Sequence, residues 1–254
     1  GEDYWPELIG GVRAAYPGFL FMAEAYWNLE WELQQQGFDF CYDKQLYDRL
    51  EHGPAAAVRG HLGAELDYQK HLVRFIENHD EPRAAASFSP RKARTAAVLA
   101  TTLPGAVLLH EGQLTGRQVR LPVFLGRRPE EPVDGELWEF YRQLLPAVSA
   151  APFRGGEWRL CRVEGWPDNH SCENLVAWCR RDGEERRLVV VNLADTPSQG
   201  RLGVPWEDLP GRDWRLVELL GNGDFTRSGE ALHGPGIYVE LPAWGFHLLT
   251  CTPC

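Results

Sequence analysis

Residues 75–83, FIENHDEPR, set two apolar side chains before Glu77, Asn78, His79, Asp80 and Glu81, and Pro82 ends the run. Five polar or titratable residues directly behind an apolar run read as a strand whose C-terminal end presents chemistry. A second such end is GFLFMAEAYW, residues 18–27, where Glu24 follows an apolar run and is flanked by Tyr26 and Trp27. Cleavage of a glycosidic bond needs carboxyl groups in two states. One is protonated and gives its proton to the leaving oxygen; the other is ionised and attacks or stabilises an oxocarbenium-like centre. Glu24 beside two rings reads as a partly desolvated carboxyl whose raised pKa suits a general acid. Asp80, with Asn78 and His79 beside it as donors, reads as the carboxylate that stays ionised. A third end, HEGQ at 110–113, sets Glu111 next to His110, and the second strand ends near Asp39 and Asp43. One acidic strand end is explained by the preference of carboxylates for the helix N-terminus that follows. Three in register favour the chemical reading.

These groups need a scaffold. Over residues 1–150 strand-like and helix-like segments alternate: a helix over 5–16, a strand over FLFMAEA, a helix over 29–36, a strand over GFDFCY, helical sequence over 43–71 broken at Gly53-Pro54, and a strand over LVRFIEN. A helix over 89–103 follows, with Ser89 as N-cap and Pro90 in the first turn, then a strand over 104–113 and a helix over 135–149 ending near Pro146. Such alternation predicts β/α units on a parallel sheet. After residue 150 the texture changes. RLVVVNLA, WRLVELL, GIYVELP and GFHLLTC are short strands separated by Gly, Pro, Asp and Asn, the pattern of an antiparallel β-sandwich. Two domains are expected, 1–150 and 151–254, packed together across a short junction. A (β/α)8 barrel takes about 250 residues and eight strands. The front part has only half of them.

The 254 residues carry a net charge of -10, which disfavours nucleic acid and anionic membrane surfaces as partners. No apolar window is long enough for a membrane span. Ten Trp mildly favour carbohydrate, whose flat faces stack on aromatic rings. Six Cys at irregular spacing read as reduced thiols of a cytoplasmic protein. The terminal pair Cys251 and Cys254 lacks the second pair or nearby run of His that a metal site needs, so no metal and no cofactor is expected. The N-terminus has no basic-then-apolar signal and no initiator Met, which is expected of a fragment.

Taken together, these motifs resemble the α-amylase family of glycoside hydrolases. GFLFMAEAYW resembles that family's strand-five region, FIENHDEPR its strand-seven region, and PGAVLLHEGQLTG its strand-eight segment, with Leu114 standing where a Glu is commoner. GEDYWPELIGGVRAAYP resembles the helix between strands four and five, and the β-rich tail resembles the domain that follows the barrel. The resemblance implies an α/β fold: half of a (β/α)8 barrel followed by an antiparallel β-sandwich domain. It also implies roles. Glu24 would be proton donor and then base, Asp80 a carboxylate that binds sugar hydroxyls and stabilises the transition state, and His79 a hydroxyl-binding partner. Tyr26 and Trp27 would stack on sugar rings. Arg83 either reaches the mouth of the site or balances Glu81 at the surface.

The family's nucleophile, an Asp two residues after an Arg at the end of strand four, has no counterpart in a GFR-x-D-like stretch of this sequence. The expectation is a chain that begins just after that strand, exposes unpaired strand edges and apolar inner faces, and is inactive alone. Its partners would be an α-glucan or maltooligosaccharide and either the missing barrel half or a second copy. The competing reading is a non-catalytic carbohydrate-binding or interaction module built on the same fold; a third is an unrelated four-stranded α/β protein.

Overall fold

The computed structural model describes residues 4–26, 28–122, 124 and 127–254. Four short strands, β1 (Met22–Ala23), β2 (Phe40–Tyr42), β3 (Leu72–Arg74) and β4 (Ala106–Val107), form a parallel sheet in sequential order. Met22 pairs with Phe40, Cys41 with Leu72 and Val73 with Ala106. Helices connect them: α1 (Tyr4–Ala15) leads in, α2 (Glu30–Gln35) joins β1 to β2, and α3 (Lys44–His52), α4 (Ala55–Leu62) and α5 (Leu66–Lys70) join β2 to β3. Then come α6 (Ala84–Ser87) and α7 (Pro90–Thr102) before β4, and α8 (Gly135–Val148) and α9 (Ala151–Arg154) after it. Sequential parallel order is the order of a (β/α)8 barrel, and four strands are half of one; the sheet does not close among the described residues.

Local chemistry fixes these elements. Ser89 caps α7 by accepting a hydrogen bond from the Lys92 amide at 3.3 Å, and Pro90 occupies the first turn. Pro146 does not end α8 as the sequence predicts; it lies inside the helix, which runs on to Val148. Gly105 has φ +107°, and a Cβ there would stand 2.2 Å from the Leu72 carbonyl oxygen, so only glycine lets β4 close onto β3. Asp39 is corrected: it precedes β2 rather than following it. It accepts from the Phe21 amide at 2.7 Å and pairs with Arg13 at 2.7 Å, tying α1 to the sheet at the end away from the strand C-termini.

The remaining chain is antiparallel. β5 (Glu157–Leu160), β7 (Leu175–Asp182), β8 (Glu185–Asn192), β10 (Asp213–Glu218), β11 (Asp224–Ser228) and β13 (Phe246–Pro253) form a six-stranded sheet, ordered β11-β10-β13-β8-β7-β5. β6 (Arg162–Glu164), β9 (Ser198–Gly203) and β12 (Ile237–Leu241) form a second sheet, and α10 (Gly229–His233) sits between β11 and β12 in sequence. Along β7 and β8, Leu175, Ala177, Cys179, Leu188 and Val190 face the core between the two sheets. Their alternates Val176, Trp178, Val189 and Val191 join one core with Leu99 of α7 and Leu144 of α8. Burial on both faces explains why these strands read as unbroken apolar runs. All six cysteines are free thiols; Cys251 is buried and Cys254 exposed, so their side chains do not share one environment. Among the described residues no helix is long and apolar enough to cross a membrane.

Candidate active site

Glu24 follows β1 directly, and Asn78, His79 and Asp80 follow β3 by a few residues. Parallel strands point their C-terminal ends the same way, so the two segments meet at one end of the sheet. His79 Nε2 lies 3.9 Å from Glu24 Oε1 and 3.6 Å from Asp80 Oδ2. The Tyr26 hydroxyl donates to Glu24 Oε1 at 2.9 Å. Burial, and then the hydrogen bond to Glu24, raise the Tyr26 pKa far above its ordinary value. Trp27 lies outside the described residues. His79 and Asp80, with Arg120, Leu121 and Pro122, also line a cavity of about 230 Å³.

One feature departs from expectation. Glu24 is not in an apolar pocket: its side chain is 38% exposed, beside His79 at 48% and Asp80 at 46%. Tyr42, the last residue of β2, is a neighbour the sequence did not single out. Burial, followed by the charges of Glu24 and Asp80, raises its pKa. The signal was there, since Tyr42 ends β2 much as Glu24 directly follows β1, but it is aromatic rather than acidic.

The loop that carries His79 and Asp80 is built from buried polar groups. Asn78 Oδ1 accepts from the Asp80 amide at 2.9 Å and the Glu81 amide at 2.8 Å, an Asx-type turn. Glu81 pairs with Lys44 at 3.1 Å. Arg83 is therefore not the surface partner of Glu81, nor is it at the mouth. It is buried, and its Nη2 lies 3.0 Å from Glu77 Oε1. Its reach inward follows from the short β3–β4 spacing, which brings His110 within 2.6 Å of Nη1.

Glu77 is 1% exposed. Burial pushes its pKa up to about 7, against the pull of the Ala84 amide and the Arg83 charge, while Glu111 adds to the rise. The folded chain thus keeps a proton that the unfolded chain releases above its ordinary carboxyl pKa. The resulting stabilisation is present below about pH 4.5 and is lost as pH rises through 7. Glu77→Gln is expected to remove that slope. Urea unfolding between pH 4.5 and 8 checks it: the difference in stability between variant and wild type should shift by a few kcal/mol across this window, and a constant difference would refute it.

No protein-family model matches the chain. It is 27% identical over 238 residues to the α-amylase MalA of Haloarcula japonica, a match covering 89% of this chain and 34% of that protein. Among solved structures, the maltogenic α-amylase AmyB of Thermotoga neapolitana superposes with a TM-score of 0.75 at 18% identity, over 98% of this chain and 58% of that one. The α-amylase GTA of Geobacillus thermoleovorans, solved with acarbose, gives 0.77 at 14% identity, over 99% and 57%. The chain is similar in sequence to an α-amylase and in fold to others. It spans about a third of the curated relative and a little over half of the solved ones.

In this chain, Glu24, His79 and Asp80 are the one group of acidic and imidazole side chains, among the described residues, whose ligand atoms all lie within 4.8 Å of one another. A divalent cation could bridge that spacing. All three are exposed, however, and among the described residues the only hydrogen bond that orients one of their carboxylates is the donation from Tyr26. Metal ligands are usually held by a shell of such partners.

Proposed function

We propose that the chain supplies the acid/base and charge-stabilising side of a retaining α-glucan-active hydrolase or transglycosylase of the α-amylase type. The observation that carries this is the meeting of Glu24, His79 and Asp80, from two separate strand ends, within 4.8 Å. Glu24 is the proton donor and, in the second step, the base. Asp80 binds hydroxyls and stabilises the oxocarbenium-like centre, and His79 hydrogen-bonds a hydroxyl in the same subsite. Tyr26 orients Glu24 and offers a ring face, as would Trp27. The two-step retaining mechanism also needs a nucleophile, which in the α-amylase family is the Asp of a GFR-x-D-like stretch that residues 1–254 do not contain.

The free edges of β1 and β4, with Met22 at 52% exposure and Val107 and Leu109 also exposed, fit completion by further strands or by a second copy. A monodisperse monomer at micromolar concentration would count against that part. The chain alone is expected to release no product from maltoheptaose, followed by chromatography of the sugars. Turnover that disappears in Glu24→Gln would overturn this. The second reading, a carbohydrate-binding module without chemistry, is favoured by the exposure of Glu24. Acarbose binding in calorimetry, lost in Asp80→Ala, is expected under either reading, and its absence would remove the sugar assignment altogether.

A further inference from the structure

Glu77 stands immediately before Asn78-His79-Asp80, yet its carboxylate turns inward. Oε2 accepts from the Ala84 amide at 2.7 Å, which joins the two ends of the 77–84 loop. Oε1 lies 3.0 Å from Arg83 Nη2 and 3.5 Å from His110 Nδ1. Neither approach has hydrogen-bond direction, so this buried oxygen is held by charge alone. Arg83 carries the connection onward. Its Nη1 is 2.6 Å from His110 Nδ1, Nη2 donates to the Glu111 carbonyl at 2.7 Å and Nε to the Arg117 carbonyl at 3.4 Å. Gly112, with φ +85°, makes room for it: a Cβ there would stand 2.7 Å from Nη2.

We infer that Glu77 is a positioning residue, whose links to Ala84, Arg83 and His110 hold the loop bearing His79 and Asp80 against the segment after β4 and opposite Glu24. The loop has no helix or strand of its own between β3 and α6. Its shape therefore depends on two inward side chains, Asn78 for the turn and Glu77 for the closure. Removing the Glu77 side chain leaves the buried Ala84 amide without its acceptor and Arg83 without the group that fixes its guanidinium. Arg83 then moves, and His110 and the loop move with it. The groups facing the carboxylate are Arg83, His110, the more distant Glu111, and Tyr141 from α8, whose pKa Glu77 helps to raise. That the held residues bind sugar rests on the function proposed above; that Glu77 holds the loop does not.

Amide hydrogen exchange by NMR tests the inference in the chain as it stands. In Glu77→Ala the Asp80, Glu81 and Ala84 amides are expected to exchange at least tenfold faster, while those of β7 and β8 keep their rates. Glu77→Gln, which retains an acceptor for Ala84 but loses the charge, should fall between and serves alone if the alanine variant does not fold. A uniform acceleration across the chain, or no change in the loop, overturns the inference. A second readout is the His110 ring resonance, which in the wild type should follow Glu77 through an inflection near neutrality that Glu77→Gln abolishes. Acarbose affinity separates the two ideas. Wild type that does not bind while the loop amides respond refutes the sugar assignment only; binding that survives Glu77→Ala undiminished, with loop exchange unchanged, refutes the positioning role only.

Discussion

Asp43→Ala is expected to cost about 3–5 kcal/mol of unfolding free energy, the usual penalty for removing one partner of a buried ion pair. Asp43 and Arg74 are both almost fully buried and pair directly behind the sheet. Arg74 also donates to the Pro104 carbonyl at 3.1 Å and bonds the Gln69 side chain, so the guanidinium links β2, β3, α5 and the entry to β4. Burial lowers its pKa to about 9, still above neutrality, and the charge remains. Asp43 further caps α3 through the Leu46 amide at 3.1 Å and lies 3.0 Å from His61 Nε2. Because Arg74 already matches that carboxylate, His61 gains little from it; burial and then the Arg49 charge push its pKa down to about 4. The native chain keeps His61 neutral while the unfolded chain takes up a proton below 6.5, so this contribution is lost as pH falls from 6.5 towards 4, opposite in sign to that of Glu77. Urea denaturation measures the loss. The double variant Asp43→Leu with Arg74→Met should recover most of it, since the charge is then gone rather than orphaned. A loss below about 1 kcal/mol for Asp43→Ala, no more than an exposed pair gives, would sink the account.

The larger effect on chemistry is expected at Glu24. In an assembly that also supplies the nucleophile, Glu24→Gln should lower kcat by about 10²–10⁴, the range that a positioned general acid contributes. Two further readouts separate proton donation from mere shape. An aryl glucoside whose leaving group needs no proton should lose far less rate than maltoheptaose. The alkaline limb of the pH–rate profile, which a proton donor sets by losing its proton as pH rises, should also disappear. Equal losses on both substrates would mean that Glu24 holds the sugar rather than protonates it.

What could be read from the residues follows their physics. Clusters directly after an apolar run declare a strand end, and Glu24, His79 and Asp80 were legible for that reason. The inward turn of Glu77 and Arg83 was not, because it depends on β3 and β4 lying side by side, and a linear pattern of alternating charges looks the same whether it faces water or Arg83. Asp39 was misplaced because GFDFCY is apolar at alternate positions from its start, whereas the ladder begins only at Phe40. In the second half β8 and β13 announced themselves by apolar runs. The edge strand β11, DFTRS, and β9, SQGRLG, the middle strand of the small sheet, carry too few large apolar residues to show a period.

The six-stranded sheet is a party wall. Val176, Trp178, Val189, Val191 and Leu248 furnish one room and Leu175, Cys179, Leu188, Val190 and Leu249 the other. A cut near residue 150 passes between types of secondary structure, yet it strips plaster from one side of that wall. Residues 151–254 on their own would present a wet row of valines and a tryptophan that no monomer keeps in solution for long. The helices would lose the surface against which α7 and α8 are pressed. Heat should therefore take the chain apart in one step rather than two, and an attempt to express the tail as a free module should end in the pellet.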